Sequence, residues 1–152
     1  MPGIDVMTAH TVLAEVGPDL SRFHNAAAFA SWACVCPRPQ VSGGRVLGHY
    51  RRPNRNRLAR ALRMAAFALH RNQSPLGDYY RRMRARLGAP KAITATAHKL
   101  ARIIHHMLTT GHPYDPACYA QQLAQRDAYL LKKLRHRAFT LGFHLVHGRA
   151  VP

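Results

Sequence analysis

The chain has 152 residues, about the length of one domain with its own core, so a second complete domain is not expected. It carries 23 Lys and Arg against six Asp and Glu, a formal net charge of +17, while 47% of its residues are hydrophobic. This composition argues against a disordered basic tail, and six scattered acids argue against the carboxylate cluster that holds Mg²⁺ in nucleases and polymerases.

Residues that start and stop helices recur along the chain, whereas alternating strand patterns with hairpin turns do not. We therefore expect an all-α fold, a compact bundle of about five to six helices. The first helix is expected over about residues 8–16, ending at Gly17. Ser21 or Asn25 can cap the second helix, and Pro37 stops it.

Residues 37–53 are expected to form an exposed loop between the second and third helices. This segment contains three prolines and three glycines, with Ser42, Gly43 and Gly44 at its centre. Because these residue types favour turns over regular structure, the sequence predicts a Gly-, Pro- and Arg-rich loop, the longest irregular stretch of the chain.

Apolar residues at three- and four-residue steps predict the remaining helices. Their starts are expected at Asn54, at Ser74 followed by Pro75, near Pro90, and at Asp115 followed by Pro116. We divide the chain into a domain over residues 1–115 and a C-terminal helix with its tail over residues 116–152. The tail after Gly142 is expected to fray.

Thirteen arginines, no lysine and one acid lie between Arg38 and Arg86. The planar guanidinium group pairs with phosphate through two parallel hydrogen bonds, so this bias favours binding to a nucleic-acid backbone. A solvated helix face is the alternative reading. Tyr50, Tyr79 and Tyr80 could stack on bases or pack at the edge of the core.

The cysteines and histidines give weaker signals. Three cysteines and no signal-peptide pattern favour a reducing cytoplasm, and no apolar stretch is long enough for a membrane span. His98 and His105 could share a helix face, but no Cys-x-x-Cys pair accompanies them. Partly buried or phosphate-facing histidines are therefore preferred over a structural metal site.

Several short motifs follow one another from Pro2 onwards. They occupy residues 2–4, 8–9, 15–17, 19, 21–23, 29–32, 36–37, 42–47, 56–57, 61–66, 74–77, 81–86 and 87–104. In this order they resemble the C-terminal transposase domain of the DEDD-type insertion-sequence transposases, the IS110 group, in the branch directed by a bridge RNA. The resemblance thins after about Asp115.

That resemblance implies a helical domain whose loop serine joins covalently to DNA, and this serine corresponds to Ser42. It also implies a guide (bridge) RNA as a partner, besides DNA. In the family, Mg²⁺ is held by four acidic residues of a RuvC-like half that we expect to be missing before residue 1, so we expect no cofactor on this chain itself. Family members usually have glycine near Cys34 and lysine at the position of Arg45.

We therefore expect the C-terminal part of a transposase that binds DNA and contributes Ser42 as nucleophile, but that neither cuts nor rejoins DNA alone. The arginines predicted to hold the DNA backbone are Arg45, Arg51, Arg52, Arg55, Arg57 and Arg60. A homo-oligomer or a pair with full-length transposase is expected, and no membrane partner. The alternatives are a basic nucleic-acid-binding module without chemistry and a fragment that binds intact transposase through its last helix.

Overall fold

The structure, a computed structural model, describes residues 1–36, 39–49 and 56–146. Helices dominate these residues, which confirms the all-α expectation. The helices are α1 (Val6–Val16), α2 (Ala26–Trp32), α3 (Arg57–Ala68), α4 (Pro75–Leu87), α5 (Ala89–Thr110) and α6 (Pro116–Thr140). One β-hairpin, β1 (Pro39–Ser42) and β2 (Arg45–His49), lies between α2 and α3, and a 3₁₀ turn (Leu69–Arg71) links α3 to α4.

Side-chain caps set the starts of the helices. The carboxylate of Asp5 accepts a hydrogen bond from the Thr8 amide at 2.7 Å and starts α1. Asn25, rather than Ser21, caps α2. The side chain of Asn56 accepts from the Leu58 amide at 2.9 Å, so α3 begins slightly later than the predicted start at Asn54.

The prediction of an irregular loop over residues 37–53 is wrong for residues 39–49, because these residues form an antiparallel hairpin. Pro39 pairs with His49, and Ser42 pairs with Arg45 across the two-residue turn. Two glycines between short runs that contain valine are a known hairpin signal. The density of proline and glycine concealed that signal in the sequence.

The structure divides into two compact units, Met1–Tyr114 and Asp115–Pro152. In the first unit α5 packs against α2, α3 and α4, and α1 packs against α3. The largest fully buried side chains of this core include Phe29, Leu58, Leu62, Tyr80 and Leu100. They all lie on helices, so the core fixes the two helices from which the hairpin emerges.

In the second unit, α6 ends at Thr140 with Leu141 as its C-cap, a turn follows at residues 141–142, and residues 143–146 have no regular secondary structure. Residues 147–152, which belong to the tail predicted to fray, lie outside the described residues. Within the described ranges of both units, no helix combines the length and apolarity needed to cross a bilayer.

Candidate nucleophile and nucleic-acid interface

The tip of the hairpin consists of Ser42, Gly43, Gly44 and Arg45. Gly43 and Gly44 have φ angles of 55° and 74°, as a two-residue turn of type I′ requires. A Cβ atom on either glycine would meet no atom within 4 Å, so glycine is needed here for its backbone conformation rather than for space. The tip therefore stands clear of the rest of the described chain.

Ser42 and Arg45 are both exposed and are directly opposed across the turn. Opposed residues of an antiparallel pair project to the same face of the sheet, with Cβ atoms about 5 Å apart. The hairpin thus places the side chains of Ser42 and Arg45 on the same face of the turn. The extra residue of β2, between the partners of Gln40 and Val41, forms a bulge that increases the local twist.

One end of the hairpin segment is fixed at the C-terminus of α2. The Val35 amide donates to the Ala30 carbonyl at 3.2 Å, and the Cys34 amide donates to the Ser31 carbonyl at 3.1 Å. This pair of bonds is a Schellman motif, and Cys34 occupies its left-handed position with a φ of 54°. Val35 is fully buried, so the chain leaves α2 in a fixed direction.

The other end is tied to the first by two side chains of α3 and its cap. The Nδ2 atom of Asn56 donates to the Trp32 carbonyl at 3.4 Å, and the Nη2 atom of Arg63 donates to the Cys34 carbonyl at 3.1 Å. We call Cys34, Asn56 and Arg63 the hairpin anchor. Because the two partner carbonyls lie at or just after the end of α2, the anchor holds the end of α2 and the start of α3 close together.

Arg22 contacts Trp32 at the end of α2, and its structural role was missed by sequence reasoning. Its guanidinium carbon is 4.7 Å from the centre of the Phe23 ring and 4.8 Å from that of Trp32. Its Nη2 atom also donates to the Val16 carbonyl at 3.3 Å. Arg22 therefore joins the end of α1, through this hydrogen bond, to α2, through its cation–π contact with Trp32, an arrangement that no sequence spacing signals.

We predict that Cys34→Gly raises the free energy of unfolding by about 1 kcal/mol, because glycine adopts the left-handed conformation without the steric cost of a Cβ atom. Cys34→Ala is the matched control, since it also removes the Sγ contact with the Trp32 carbonyl but keeps the Cβ. Urea unfolding of the full chain measures both values. Equal stability of the two variants would contradict the prediction.

The structure describes three of the six arginines predicted to bind DNA. Arg45 lies at the hairpin tip, and Arg57 and Arg60 are exposed on the first turn of α3. The Nε atom of Arg57 lies 3.9 Å from a carboxylate oxygen of Glu15, so part of its charge is already compensated. The other three, Arg51, Arg52 and Arg55, lie outside the described residues.

Base stacking is excluded for one of the three tyrosines considered from the sequence. Tyr80 is 1% exposed, so its ring cannot reach a base and that reading is wrong. Tyr79 is half-buried, and the Nζ atom of Lys99 lies 5.9 Å from its ring centre. Tyr50 lies outside the described residues.

The acids of this chain do not form a magnesium site beside Ser42. The acids whose contacts the structure shows bind groups away from the hairpin. Asp5 and Asp115 cap helices, and Asp78 pairs with Arg81. Hydrogen bonds from Thr8 lower the pKa of Asp5, and hydrogen bonds from Ser21 lower the pKa of Asp19. These carboxylates are held by local contacts rather than brought together as metal ligands.

The two histidines considered as metal ligands both lie on α5. Burial, together with the nearby charge of Arg102, lowers the pKa of His98. The ring centre of His105 lies 5.8 Å from that of Phe29, so this histidine packs in the core. Among the residues that the structure describes, no group of three or more His, Cys, Asp or Glu is placed to hold a metal ion.

A sequence profile described as the transposase IS116/IS110/IS902 family matches residues 1–81. This stretch includes α1, α2, the hairpin, α3 and the start of α4, more than half of the chain. The chain belongs to this family. The resemblance read from the order of motifs is thereby confirmed, and the hairpin with Ser42 lies inside the part that matches the IS110-family profile.

Individual IS110-family relatives extend the match towards the C-terminus. The chain is 36% identical over 120 residues to the "insertion element IS110 uncharacterized 43.6 kDa protein" of Streptomyces coelicolor. This alignment covers 76% of this chain and 29% of the relative. It is 32% identical over 127 residues to an insertion element IS116 protein of 44.8 kDa from Streptomyces clavuligerus, 82% of this chain and 31% of the relative. The chain thus spans about a third of the length of these relatives.

Proposed function

We propose that this chain is the nucleophile-bearing part of an insertion-sequence transposase, and that Ser42 forms the covalent bond to DNA during strand cleavage and exchange. The observation that carries the proposal is the exposed Ser42 hydroxyl at a Gly–Gly turn, directly opposite Arg45. A reactive hydroxyl must reach a phosphodiester of a bulky duplex, and a projecting turn allows that approach. DNA and a guide RNA are the partners that the family membership suggests.

The reaction of Ser42 is a phosphoryl transfer. Its Oγ atom attacks the phosphorus of a DNA phosphodiester and gives up its proton, the bond from phosphorus to the 3′ oxygen breaks, and that oxygen takes a proton to become a 3′ hydroxyl. The 5′ phosphate remains on the protein as a phosphoserine ester. Attack by the 3′ hydroxyl of another DNA end on this ester releases Ser42, so joining consumes no ATP.

Groups next to Ser42 can stabilise the charge that develops on the phosphate oxygens. Arg45 supplies a guanidinium group on the same face of the hairpin, and the amides of a glycine turn can bind anions. Removing one such donor from an enzyme typically slows the reaction by about 10²–10³-fold. Arg57 and Arg60 would bind the DNA backbone away from the reacting phosphate.

The carboxylates described in this chain do not make a metal site, so the acidic residues that complete the active site must come from outside these 152 residues. The far greater length of the relatives is consistent with that requirement. We accordingly propose that the chain alone neither cuts nor rejoins DNA.

The proposal is tested by supplying the missing part in trans. The portion of the Streptomyces coelicolor relative that lies outside the matched 120 residues is mixed with this chain, Mg²⁺, guide RNA and a supercoiled donor. A covalent protein–DNA adduct on a denaturing gel is expected for the mixture and not for the chain alone. Ser42→Ala should abolish it.

Ser21→Ala is the matched control, because Ser21 is also exposed but bonds to Asp19 away from the hairpin. It should leave the adduct unchanged. An adduct that persists in Ser42→Ala would refute Ser42 as the nucleophile. Absence of any adduct from the wild-type mixture would favour the basic binding module without chemistry.

A further inference from the structure

Helix α6 and its C-cap residue Leu141 carry one line of positions spaced alternately four and three residues apart. The line consists of Leu123, Asp127, Leu130, Leu134, Arg137 and Leu141. Alternating steps of four and three give the 3.5-residue period of the a and d positions in a two-stranded coiled coil. Four of the six positions are leucine, and the other two carry opposite charges.

This line is open to a partner. Leu130, Leu134 and Leu141 are 47%, 54% and 66% exposed. Three leucines exposed to water on one helix face form an apolar patch, which often marks an interaction site. Asp127 and Arg137 are exposed as well, and neither takes part in the ion pairs found among the described residues. Apolar surface and two uncompensated charges therefore share one stripe.

We propose that α6 pairs in antiparallel orientation with α6 of a second copy of this chain. An antiparallel pair centred on Lys132 places a and d positions of the two copies opposite each other. Leu123 then lies opposite Leu141, Asp127 opposite Arg137, and Leu130 opposite Leu134. Every apolar position meets an apolar one and both charges are compensated, so the stripe is complementary to itself.

The same stripe opposes a parallel pair. A parallel arrangement in register would place Asp127 against Asp127 and Arg137 against Arg137, two like-charge contacts in place of two attractions. In the antiparallel pair, Leu131 also meets its own counterpart on one flank, while Lys133 meets its counterpart on the other. The antiparallel pair therefore gains two attractive contacts and an apolar flank, and it has one like-charge contact.

This inference is independent of the proposed function, because it uses residues 123–141 and neither the hairpin nor DNA. Two-fold symmetry makes both copies contribute the same surface, which is the commonest way in which soluble proteins pair. An IS110-family protein that joins two DNA ends has a use for two copies, but the pairing follows from α6 itself.

The test is a charge exchange measured by sedimentation equilibrium of the full chain without nucleic acid. Wild type is expected to dimerise. Asp127→Arg and Arg137→Asp should each raise the dissociation constant about tenfold or more, because each creates two like-charge contacts in the dimer. The double variant D127R/R137D should return to about the wild-type value, since exchanging both charges preserves the antiparallel match.

Arg135→Asp is the matched control, an equal charge reversal on an exposed residue of α6 away from the stripe. It should leave the dissociation constant within about threefold of wild type. Circular dichroism shows whether each variant keeps its helix content. A double variant as weak as the single ones, a wild type that stays monomeric, or single variants that dimerise normally would each overturn the proposal.

Discussion

Binding of this chain to double-stranded DNA is expected to weaken about 10³-fold when NaCl rises from about 50 to about 200 mM. A protein that neutralises about six phosphates releases their counterions, and the logarithm of the affinity then falls linearly with the logarithm of the salt concentration. Six arginines from Arg45 to Arg60 are the predicted contacts. Fluorescence anisotropy with a labelled duplex at several salt concentrations measures the slope.

Single substitutions divide this slope among residues. Arg60→Ala should reduce the salt slope by about one, the share of one phosphate contact, and weaken binding to all sequences alike. Arg57→Ala should have a smaller effect, since Glu15 already compensates part of the Arg57 charge. Lys91→Ala, on an exposed residue of α5, is the control and should leave the slope unchanged. Salt-independent binding, or an equal loss with the control, would contradict this assignment.

Gly77→Ala is expected to lower the free energy of unfolding by about 3 kcal/mol, the upper part of the range for overpacked sites. Gly77 is buried in the first turn of α4, and an added Cβ atom would lie 1.9 Å from the Asn72 carbonyl oxygen. That oxygen belongs to the backbone, so the chain before α4 must move. Alanine otherwise favours a helix over glycine, so a net loss reports the clash.

Gly111→Ala is the matched control for this variant. Gly111 ends α5 with a φ of 69°, and a Cβ there would meet nothing within 4 Å. Its substitution therefore introduces only the conformational cost, about 1 kcal/mol. Urea unfolding of the full chain compares the two variants. A smaller loss for Gly77→Ala than for Gly111→Ala would show that the segment before α4 shifts freely.

The helices could be predicted well because their signals are local. Ser74 followed by Pro75 predicted the start of α4, and Asp115 followed by Pro116 predicted the start of α6. Residues 39–49 were predicted less well, because a hairpin depends on pairing between residues that composition alone treats as turn formers. The residues that start and end a helix lie in or next to the helix itself, whereas a strand forms only where a second strand pairs with it.

The candidate site was only partly predictable. Ser42 was found through the resemblance to a family, since an isolated Ser-Gly-Gly reads as an ordinary turn. The hairpin anchor was not found at all, because Arg63 and the Cys34 carbonyl are 29 residues apart and meet only in the folded chain. The unusual backbone of Cys34 also gave no local signal, since cysteine seldom takes that conformation.

The hairpin anchor has a practical meaning for protein engineering. Its hydrogen bonds join Cys34, Trp32, Asn56 and Arg63, all of which lie outside the segment over residues 37–55. That segment is therefore a cassette whose attachment points belong to the host helices. Exchanging it for the corresponding stretch of a relative is expected to leave the packing of α2 and α3 intact, because none of the bonds that join these helices is removed.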